Sequence, residues 1–401
     1  MFTPNFRYKE GPAFYLLVAA GGLVAALGVA AAYYMEHMGH IVTNMTNQIP
    51  WALPHVFAIF LIISASGVMM VASIGTLFGK NVYKPRARLA CLLAIALLAA
   101  GLSVIMLDLG RADRLPVALT HLNPTSEFGL NIIFYPTFLT LTSLYLWTLM
   151  EPRMNRYSKT VDLANLIWRL MLTTGTGSIF GFIVARQAYG TAVLAPMFII
   201  SSFAWGLAIF LIMQRVLYGW SNMTLDLAVL KRMKNLLGIY IGAVFYFVSV
   251  YHLTSEYYAK QGDFEHFILI GGGIFPMLYW GGFVLLGTLL PLLLIFHPRI
   301  WPKPGAVTTA AVLVIGGALC HLYVLIVGGQ AFPMEMFPGM TATSSFYDGA
   351  IEHYVPSLPE ILLSIGGFGI VFTIAIIGAR VLNVLPQDDI AQLKASGSLT
   401  D

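Results

Sequence analysis

The sequence predicts an all-α protein that crosses a membrane about ten times. Apolar residues make up 58% of the 401 residues, charged residues make up 10%, and the mean hydropathy is +0.79. Soluble domains are about half apolar and about a quarter charged, so this composition indicates a membrane protein. Apolar runs of about 20 residues recur along the chain, and each is long enough to cross ~30 Å of hydrocarbon as a helix.

Ten of these runs are candidate spans. They cover approximately residues 13–34, 51–78, 86–108, 128–150, 163–185, 194–217, 235–256, 267–295, 306–328 and 359–383. Glycines crowd the fifth and eighth, and Pro276 lies within the eighth; small residues allow helices to approach closely, and proline can kink a span. The polar start has no small-residue cleavage site, so we expect the first span to be retained. We expect residues 1–385 to form a single transmembrane domain and residues 386–401 to form a short cytoplasmic tail.

Lysine and arginine are unevenly distributed between alternate connecting segments, which predicts the orientation. Seventeen lie in the two terminal segments and the even-numbered loops, and only Arg111, Arg114, Arg186 and Lys260 lie in the other loops. Because positive charge accumulates on the cytoplasmic side, both termini are predicted to be cytoplasmic. We call the opposite side the outer side. It carries the longer loops, at 35–50, 109–127 and 329–358.

Several functional classes find no support in the sequence. Cys91 and Cys320 lie in the middle of spans, and neither their number nor their spacing predicts a metal site, an iron–sulfur cluster or a disulfide framework. The net charge of +4 follows from the cytoplasmic loops rather than from a nucleic-acid-binding face. No loop is long enough to form a soluble catalytic domain.

Ionisable and polar side chains inside spans are costly, which makes them candidates for a functional site. In the predicted orientation most of them lie in the outer half of the membrane. The candidates are His55, Asp108, His252, Glu256, Tyr354 and Glu360. His252 and Glu256 are four residues apart, so we expect them to share one buried helix face. A plainer role is also open for the carboxylates, because those at span ends can be solvated or can cap a helix N-terminus. His55 on its own is also compatible with a packing role.

The stretch from Asp108 to Arg114 brings a carboxylate and two guanidinium groups to the end of the third span. Arg111 and Arg114 are expected to position the outer loop, either by pairing with Asp108 or by contacting a partner protein. Arg169 lies inside the fifth span, about two turns from the cytoplasmic end, and is expected to extend its charge towards the interface.

Three chemistries can use a polar cluster in the outer half. A quinone pocket needs an apolar slot, a donor to each carbonyl and a group that passes protons. A proton or ion pathway would favour charges near the midplane and broken helices. A b-type haem would need axial histidines on facing helices, and no span carries two histidines spaced for stacked haems. The first is our leading hypothesis, with His55 or Tyr354 binding a carbonyl and Asp108 or the His252/Glu256 pair relaying protons.

Four segments carry a resemblance to a known family. They are Trp51–Gly79 followed by Tyr83–Arg88, Leu107–Arg114 followed by Asn123–Ser126, Gly328–Gln330, and Tyr354–Glu360. Their order and spacing resemble the NrfD/PsrC family of polysulfide-reductase membrane subunits over nearly the whole chain. Within it, the chain is most similar to the ten-helix branch that contains the subunits HybB and DsrP, and to DsrP in particular.

This resemblance implies an anchor subunit of a respiratory oxidoreductase, not catalytic alone, that exchanges electrons with a quinone pool and carries no haem or iron–sulfur cluster of its own. It also implies a periplasmic iron–sulfur subunit of the four-cluster ferredoxin type as partner. In the DsrP branch it further implies a multihaem cytochrome c, a cytoplasmic electron-transfer module, a role in dissimilatory sulfur metabolism and a bacterial inner membrane. Two alternatives stay open: a proton- or ion-translocating subunit without its own redox site, and a purely structural anchor.

Overall fold

A computed structural model describes residues 12–221, 225, 227–271, 273–303, 305–337, 340–341, 349–382 and 384–385. The predicted cytoplasmic tail, residues 386–401, lies outside the described residues. The division into one domain and a tail therefore stays a prediction.

Within the described part of the chain, nine helices are long and apolar enough to span a membrane. They are α1 Pro12–Met38, α2 Leu53–Thr76, α3 Lys84–Leu107, α5 Glu127–Met150, α7 Leu194–Trp220, α8 Leu227–Tyr257, α10 Ile274–Phe296, α11 Ala306–Ala331 and α12 Leu358–Val381. A further helix of 24 residues, α6 Ser158–Gly181, lies among them and is more polar. The protein is thus an all-helical, multi-pass membrane protein, as the sequence predicts.

The remaining elements are short. They are the helices α4 Leu115–Thr120 and α9 Gly262–His266, the 3-10 turns His40–Val42, Lys84–Arg86, Ala112–Arg114 and Asn155–Tyr157, and the antiparallel strands β1 Glu335–Phe337 and β2 Met340–Thr341. Phe267–Gly271, Met277–Leu289 and Val324–Gly328 form π-helical turns. Such turns place one extra residue in a helical turn and are frequent at functional sites.

Each predicted span overlaps an observed helix, but two begin at clearly different residues. Helix α10 begins at Ile274 rather than near residue 267, after a short segment of separate turns. Helix α8 begins at Leu227 rather than near residue 235, and its first turns contain Lys231, Arg232 and Lys234. Lys234 is buried because its ammonium group lies over the rings of Phe296 and Trp301, at 5.2 and 4.8 Å from the centroids. Cation–π contacts of this kind let a charged residue continue the helix, which hydropathy alone does not predict.

Helix α2 lies at the centre of the bundle and is its most buried span, and it packs against α3, α6, α7, α11 and α12. The crossing with α7 depends on glycine. A Cβ on Gly67 would collide with the carbonyl of Ser202, and one on Gly206 would collide with the backbone of α2. Helix α1 packs mainly on α12 at the edge of the bundle. The outer end of α2 therefore lies amid several helices, where the candidate site is found.

Candidate functional site

His55 and Asp108 meet at the outer ends of α2 and α3. The distance from His55 Nδ1 to Asp108 Oδ2 is 2.9 Å. The Asp108 side chain is 1% exposed, whereas the His55 side chain is 20% exposed. Although the two atoms are this close, their geometry is that of an ion pair and not of a hydrogen bond. In the described part of the chain, His55 Nδ1 and both carboxylate oxygens of Asp108 have no hydrogen-bond partner. The pair thus combines an imidazole that is accessible on one side with a buried carboxylate on the other.

Local structure explains how α3 places Asp108. The backbone N–H of Asp108 donates to the carbonyls of Val104 and Ile105, at 3.1 and 3.2 Å, so that Asp108 closes the last turn of the helix. On α2, Pro54 lies in the first turn, where a missing N–H costs no hydrogen bond. His55 is therefore the third residue of α2, and it meets Asp108 where α3 ends.

Aromatic rings surround the accessible side of this pair. The ring of Trp51 lies roughly parallel to that of His55, with centroids 6.5 Å apart. Trp51 also packs against Phe128 of α5, at 6.0 Å, and against Phe180 of α6, at 5.6 Å. Aromatic and apolar walls around a few polar groups are typical of sites that bind a small organic ligand.

Tyr354 and Glu360 lie at the outer start of α12 and make a closed set of hydrogen bonds. Tyr354 donates to Glu360 Oε1 at 2.9 Å and accepts from the N–H of Leu53 at 3.2 Å. Glu360 Oε2 accepts from the N–H of Ser357 and, at 3.3 Å, from that of Asn44. Glu360 belongs to a capping box with Ser357, and burial raises the pKa of Tyr354, which keeps it protonated as a donor. Both residues therefore join α2 to α12 in this structure.

Gln330 forms a second closed set, which fixes the position of Trp51. Its amide accepts from the N–H of Trp51 at 3.0 Å and donates back to the carbonyl of Trp51 at 2.9 Å. Arg186, a half-buried residue of the outer loop, donates to the carbonyls of Gln330 and Gln48, both at 2.8 Å. The segment Gly328–Gln330, which the sequence singles out without assigning it a role, thus holds the aromatic wall beside His55.

Of the two roles expected for Arg111 and Arg114, pairing with Asp108 is wrong, and contact with a partner protein stays a prediction. Arg111 instead makes two hydrogen bonds of 3.0 Å to Asp113, and both side chains are largely exposed. The hydrogen bond from Arg111 lowers the pKa of Asp113. The Arg114 side chain is exposed as well. The cause is local geometry, because the chain turns after Asp108 and the 3-10 turn at residues 112–114 directs the arginines to the surface.

The expectation that His252 and Glu256 share a buried face is also wrong. His252 is buried and its Nδ1 hydrogen-bonds Glu265 Oε2 at 2.7 Å, whereas Glu256 is exposed. Glu265 belongs to α9, the short helix that folds back after α8, and it is fully buried. The return of the chain through this helix supplies a closer carboxylate, which helical spacing along α8 cannot predict.

The His252–Glu265 pair is enclosed by rings. The His252 ring lies 4.7 Å from that of Tyr279 and 4.8 Å from that of Tyr251, and the nearby His321 lies 4.8 Å from Phe283. Among the described residues, no hydrogen bond, ion pair or ring contact joins this group directly to His55 or Asp108. The sequence-predicted candidates other than the exposed Glu256 therefore fall into two separate groups.

A further set of buried polar residues is absent from the sequence-based candidates. Arg169 does not extend to the interface but is fully buried, near the equally buried Asp162. The signal was present in the sequence, because Asp162, Asn165 and Arg169 of α6 recur at helical spacing.

An apolar cavity of about 360 Å³ lies deeper in the membrane, between α1, α3, α7, α11 and α12. Its lining includes Leu97 of α3 and Phe368 of α12. Phe368 packs against Phe57, which lies two residues after His55, with centroids 5.6 Å apart. Along α3, Leu97 precedes Asp108 by eleven residues, or ~16 Å. The cavity therefore shares α3 with the His55–Asp108 pair and lies farther along that helix from its outer end.

Metal binding finds no support within the described ranges, where no group of three or more His, Cys, Asp or Glu side chains is arranged to hold an ion. The candidate site consists of a histidine, a carboxylate and aromatic walls.

Comparison with known proteins gives similar chains over nearly the full length. A chain described as "Hdr-like menaquinol oxidoreductase integral membrane subunit", from Archaeoglobus fulgidus, is 26% identical over 96% of this chain and 97% of its own. A putative membrane subunit of dimethyl sulfoxide reductase from Halobacterium salinarum is 28% identical over 90% of this chain and 88% of its own. A selenate reductase subunit from Mesobacillus selenatarsenatis is 23% identical over 90% of this chain and 92% of its own.

The family described as "Polysulphide reductase, NrfD" matches residues 41–334. That range contains His55, Asp108 and the Gly328–Gln330 segment, and it covers most of the helical bundle. The sequence-based resemblance is therefore confirmed: the chain belongs to the NrfD family of multi-pass membrane proteins.

Proposed function

We propose that this chain is a quinone-interacting membrane subunit of a respiratory electron-transfer complex, and that His55 and Asp108 form its quinone site. One observation carries the proposal: a partly accessible imidazole is backed by a buried carboxylate whose oxygens make no hydrogen bond among the described residues. A quinol releases two protons and two electrons when it is oxidised. The site therefore needs a group that accepts a proton at the ring hydroxyl.

In the oxidising direction, one ring hydroxyl donates its proton to the accessible nitrogen of His55, and the second hydroxyl does the same after His55 has released the first proton to the outer side. Asp108 stabilises the imidazolium that forms, because an opposite charge at this distance favours the charged form. Histidine suits the role, since its ordinary pKa lies near neutrality. In the reducing direction the same pair supplies the proton. The electrons pass to a redox group on a partner protein.

The shape of the protein supports an amphiphilic ligand of this kind. The polar pair lies at the outer end of α3, and the 360 Å³ apolar cavity lies deeper along the same helix. A quinone has a polar head and a long apolar tail, so its tail would extend towards this cavity. Tyr354, Glu360 and Gln330 hold the outer start of α2, next to His55, in place. His252 belongs to the separate group with Glu265.

The partners follow from the same proposal. The outer loops carry few lysines and arginines, and Arg111 and Arg114 are exposed beside the site. This surface is available to a periplasmic iron–sulfur subunit of the four-cluster ferredoxin type. A multihaem cytochrome c, a cytoplasmic electron-transfer module, a link to dissimilatory sulfur metabolism and a bacterial inner membrane are further parts of the proposal and rest on the resemblance to the DsrP branch.

Fluorescence of Trp51 provides the experiment that tests the quinone site. The full chain is placed in lipid nanodiscs and titrated with short-tailed menaquinone and ubiquinone analogues, which quench tryptophan at close range. We expect saturable quenching that decreases in Trp51→Phe and persists in Trp301→Phe, because Trp301 lies beside Lys234 on the inner side. Quenching that does not saturate, or that is the same in Trp51→Phe, would contradict the proposal.

One observation favours the alternative of proton translocation: a buried polar face runs along α6. That face is compatible with a redox role at the outer site, and the two can be tested separately.

A further inference from the structure

Helix α6 carries a stripe of buried polar side chains along its whole length. The stripe consists of Asp162, Asn165, Arg169, Thr173 and Thr176, which are between 0 and 2% exposed. Steps of three or four residues place them on one helix face. The face points into the bundle, where α2 and α5 supply polar partners. We call these five residues and their hydrogen-bond partners the α6 seam.

In the inner half, the seam centres on a carboxylate and a guanidinium. Ser73 of α2 donates to Asp162 Oδ1 at 2.8 Å and accepts from Arg169 Nη2 at 3.1 Å. Asn165 donates to Thr142 of α5 at 2.8 Å. Three helices thus converge on one buried charged group.

Several atoms of this group have no hydrogen-bond partner within the described part of the chain. They are Asp162 Oδ2, Arg169 Nε, Arg169 Nη1 and Asn165 Oδ1. Leaving a buried charged group unpaired costs at least about 1–3 kcal/mol. These atoms therefore need hydrogen-bonding partners that the described side chains do not supply. Water is the usual partner of such atoms in a polar interior.

Further outward, the seam continues through hydroxyl and amide groups. Thr173 and Ser66 of α2 are joined by a hydrogen bond of 2.7 Å, and Ser66 also donates to the carbonyl of Arg169. Thr176 donates to Asn131 at 3.5 Å, and Asn131 donates to the carbonyl of Glu127. These last residues lie at the outer end of α5, and Phe180 of α6 packs against Trp51 there. The seam therefore approaches the wall of the His55–Asp108 site.

A structural explanation covers only part of this arrangement. Hydroxyl and amide pairs between helices are a common way to hold a membrane bundle together. That role does not require a buried carboxylate and arginine, and each charge inside a span costs about 2.5–3.5 kcal/mol on insertion scales. It also does not account for polar atoms left without partners. Ionisable groups that persist in a span under these costs typically mark proton or ion routes.

We propose that the α6 seam conducts protons between the inner side of the membrane and the His55–Asp108 site. Asp162 accepts a proton from the inner side and releases it outward along the Ser66–Thr173 pair and bridging water. The positive charge of Arg169 offsets part of the cost of the charged carboxylate between transfers. No covalent bond other than those to the moving proton changes. The outer end point rests on the proposed quinone site, whereas conduction through the seam does not.

Proton flux into liposomes tests conduction directly. The full chain is reconstituted into liposomes that contain a pH-sensitive dye, and a potassium diffusion potential drives protons inward. We expect flux above that of protein-free liposomes, and we expect Asp162→Asn to abolish it. Asp113→Asn, a neutralisation at the exposed outer loop, is the matched control and should retain the flux.

A second pair of variants tests the same proposal in case Asp162→Asn does not fold. Thr173→Val replaces a buried hydroxyl of the seam, and Thr140→Val replaces an exposed hydroxyl on α5 that bonds only within its own helix. We expect the first to lower the flux and the second to leave it unchanged. Wild-type flux no greater than that of protein-free liposomes, or equal effects of the two threonine variants, would overturn the proposal.

Quinone quenching in the same vesicles separates the two proposals. Loss of flux in Thr173→Val with unchanged saturable quenching identifies the seam as a proton route beside an intact quinone site. If proton flux persists but quenching by quinone does not saturate, the quinone site is contradicted and the proton route through the seam is supported. If neither Asp162→Asn nor Thr173→Val changes the proton flux, the proposed route through the seam is contradicted.

Discussion

Two histidine–carboxylate pairs lie in different parts of this protein and differ in what surrounds them. His55 Nδ1 lies 2.9 Å from Asp108, between the ends of two spans, and His252 Nδ1 lies 2.7 Å from Glu265, between α8 and a short return helix. The chemical groups are the same. Only the second pair is a formed hydrogen bond, and it is enclosed by the rings of Tyr251 and Tyr279. The first pair has the more accessible imidazole, because the His55 side chain is 20% exposed and that of His252 is 10% exposed.

This difference teaches that a buried ionisable residue is not by itself a functional site. The enclosed pair forms its own hydrogen bond and holds α8 against α9, although Glu265 Oε1 also has no hydrogen-bond partner among the described residues. The open pair differs in having an imidazole that a ligand can reach, which the proposed exchange of a proton requires. The comparison predicts that substitutions in the first pair change quinol chemistry and that substitutions in the second change stability.

The largest effect is expected from Asp108→Asn. Asparagine keeps the shape but cannot stabilise an imidazolium at His55, so quinol turnover should fall by roughly 100-fold. The measurement is quinol oxidation by the complex that contains this chain, with the unfolding temperature as a check on folding. Asp113→Asn, five residues away and exposed, serves as the control. Quinol turnover at the wild-type level in Asp108→Asn would show that Asp108 is not part of the quinone site.

A smaller and different effect is expected from Glu265→Ala. The substitution leaves His252 Nδ1 buried without its partner, which should reduce the free energy of unfolding by about 2 kcal/mol. Thermal unfolding of the purified chain, followed by tryptophan fluorescence, measures this. Quinone quenching at Trp51 should be unchanged. If affinity for quinone falls while stability does not, the two pairs are not functionally distinct and the comparison fails.

The smallest effect is expected from Arg111→Ala. Its guanidinium pairs with Asp113 at the surface, and exposed pairs contribute little to stability. Because Arg111 lowers the pKa of Asp113, the pair is charged through the neutral range and weakens only as the pH falls through that lowered pKa. Quinol turnover between about pH 6 and 8 should therefore show the wild-type profile. A changed pH profile would indicate that the outer arginines do reach the site.

Much of the candidate site was accessible from the sequence, and the reason is its position in the chain. His55 and Asp108 lie at the outer ends of consecutive spans, so the predicted orientation alone places them at the same depth. The partnership between them was not predicted, because the sequence also offered Arg111 and Arg114 to Asp108. Glu360 was predicted both as a site residue and as a helix cap, and its two oxygens are fully engaged in the cap and the Tyr354 bond.

Some residues were missed or misassigned for a common reason. Glu265 lies in a short loop helix with no membrane signal, and Asp162 lies at the edge of the most polar span. Arg169 was expected at the interface because a long side chain usually reaches water. Its burial depends on Ser73, Met70 and Asp162, which come from two helices. The periodic spacing along α6 predicts a polar face, but it does not predict which residues of another helix meet that face.

The sequence by itself determined the fold class, the approximate positions of the spans and the place of His55 and Asp108 at the same end of consecutive spans. Hydrocarbon thickness fixes the length of a span, and the cost of burying charge fixes where spans end, so these properties are encoded locally. The tertiary structure alone decided which carboxylate faces which histidine, that Gln330 holds Trp51, and that the polar residues of α6 meet α2 and α5 inside the bundle. Those outcomes depend on how helices rotate and cross when side chains pack, and no single segment contains that information.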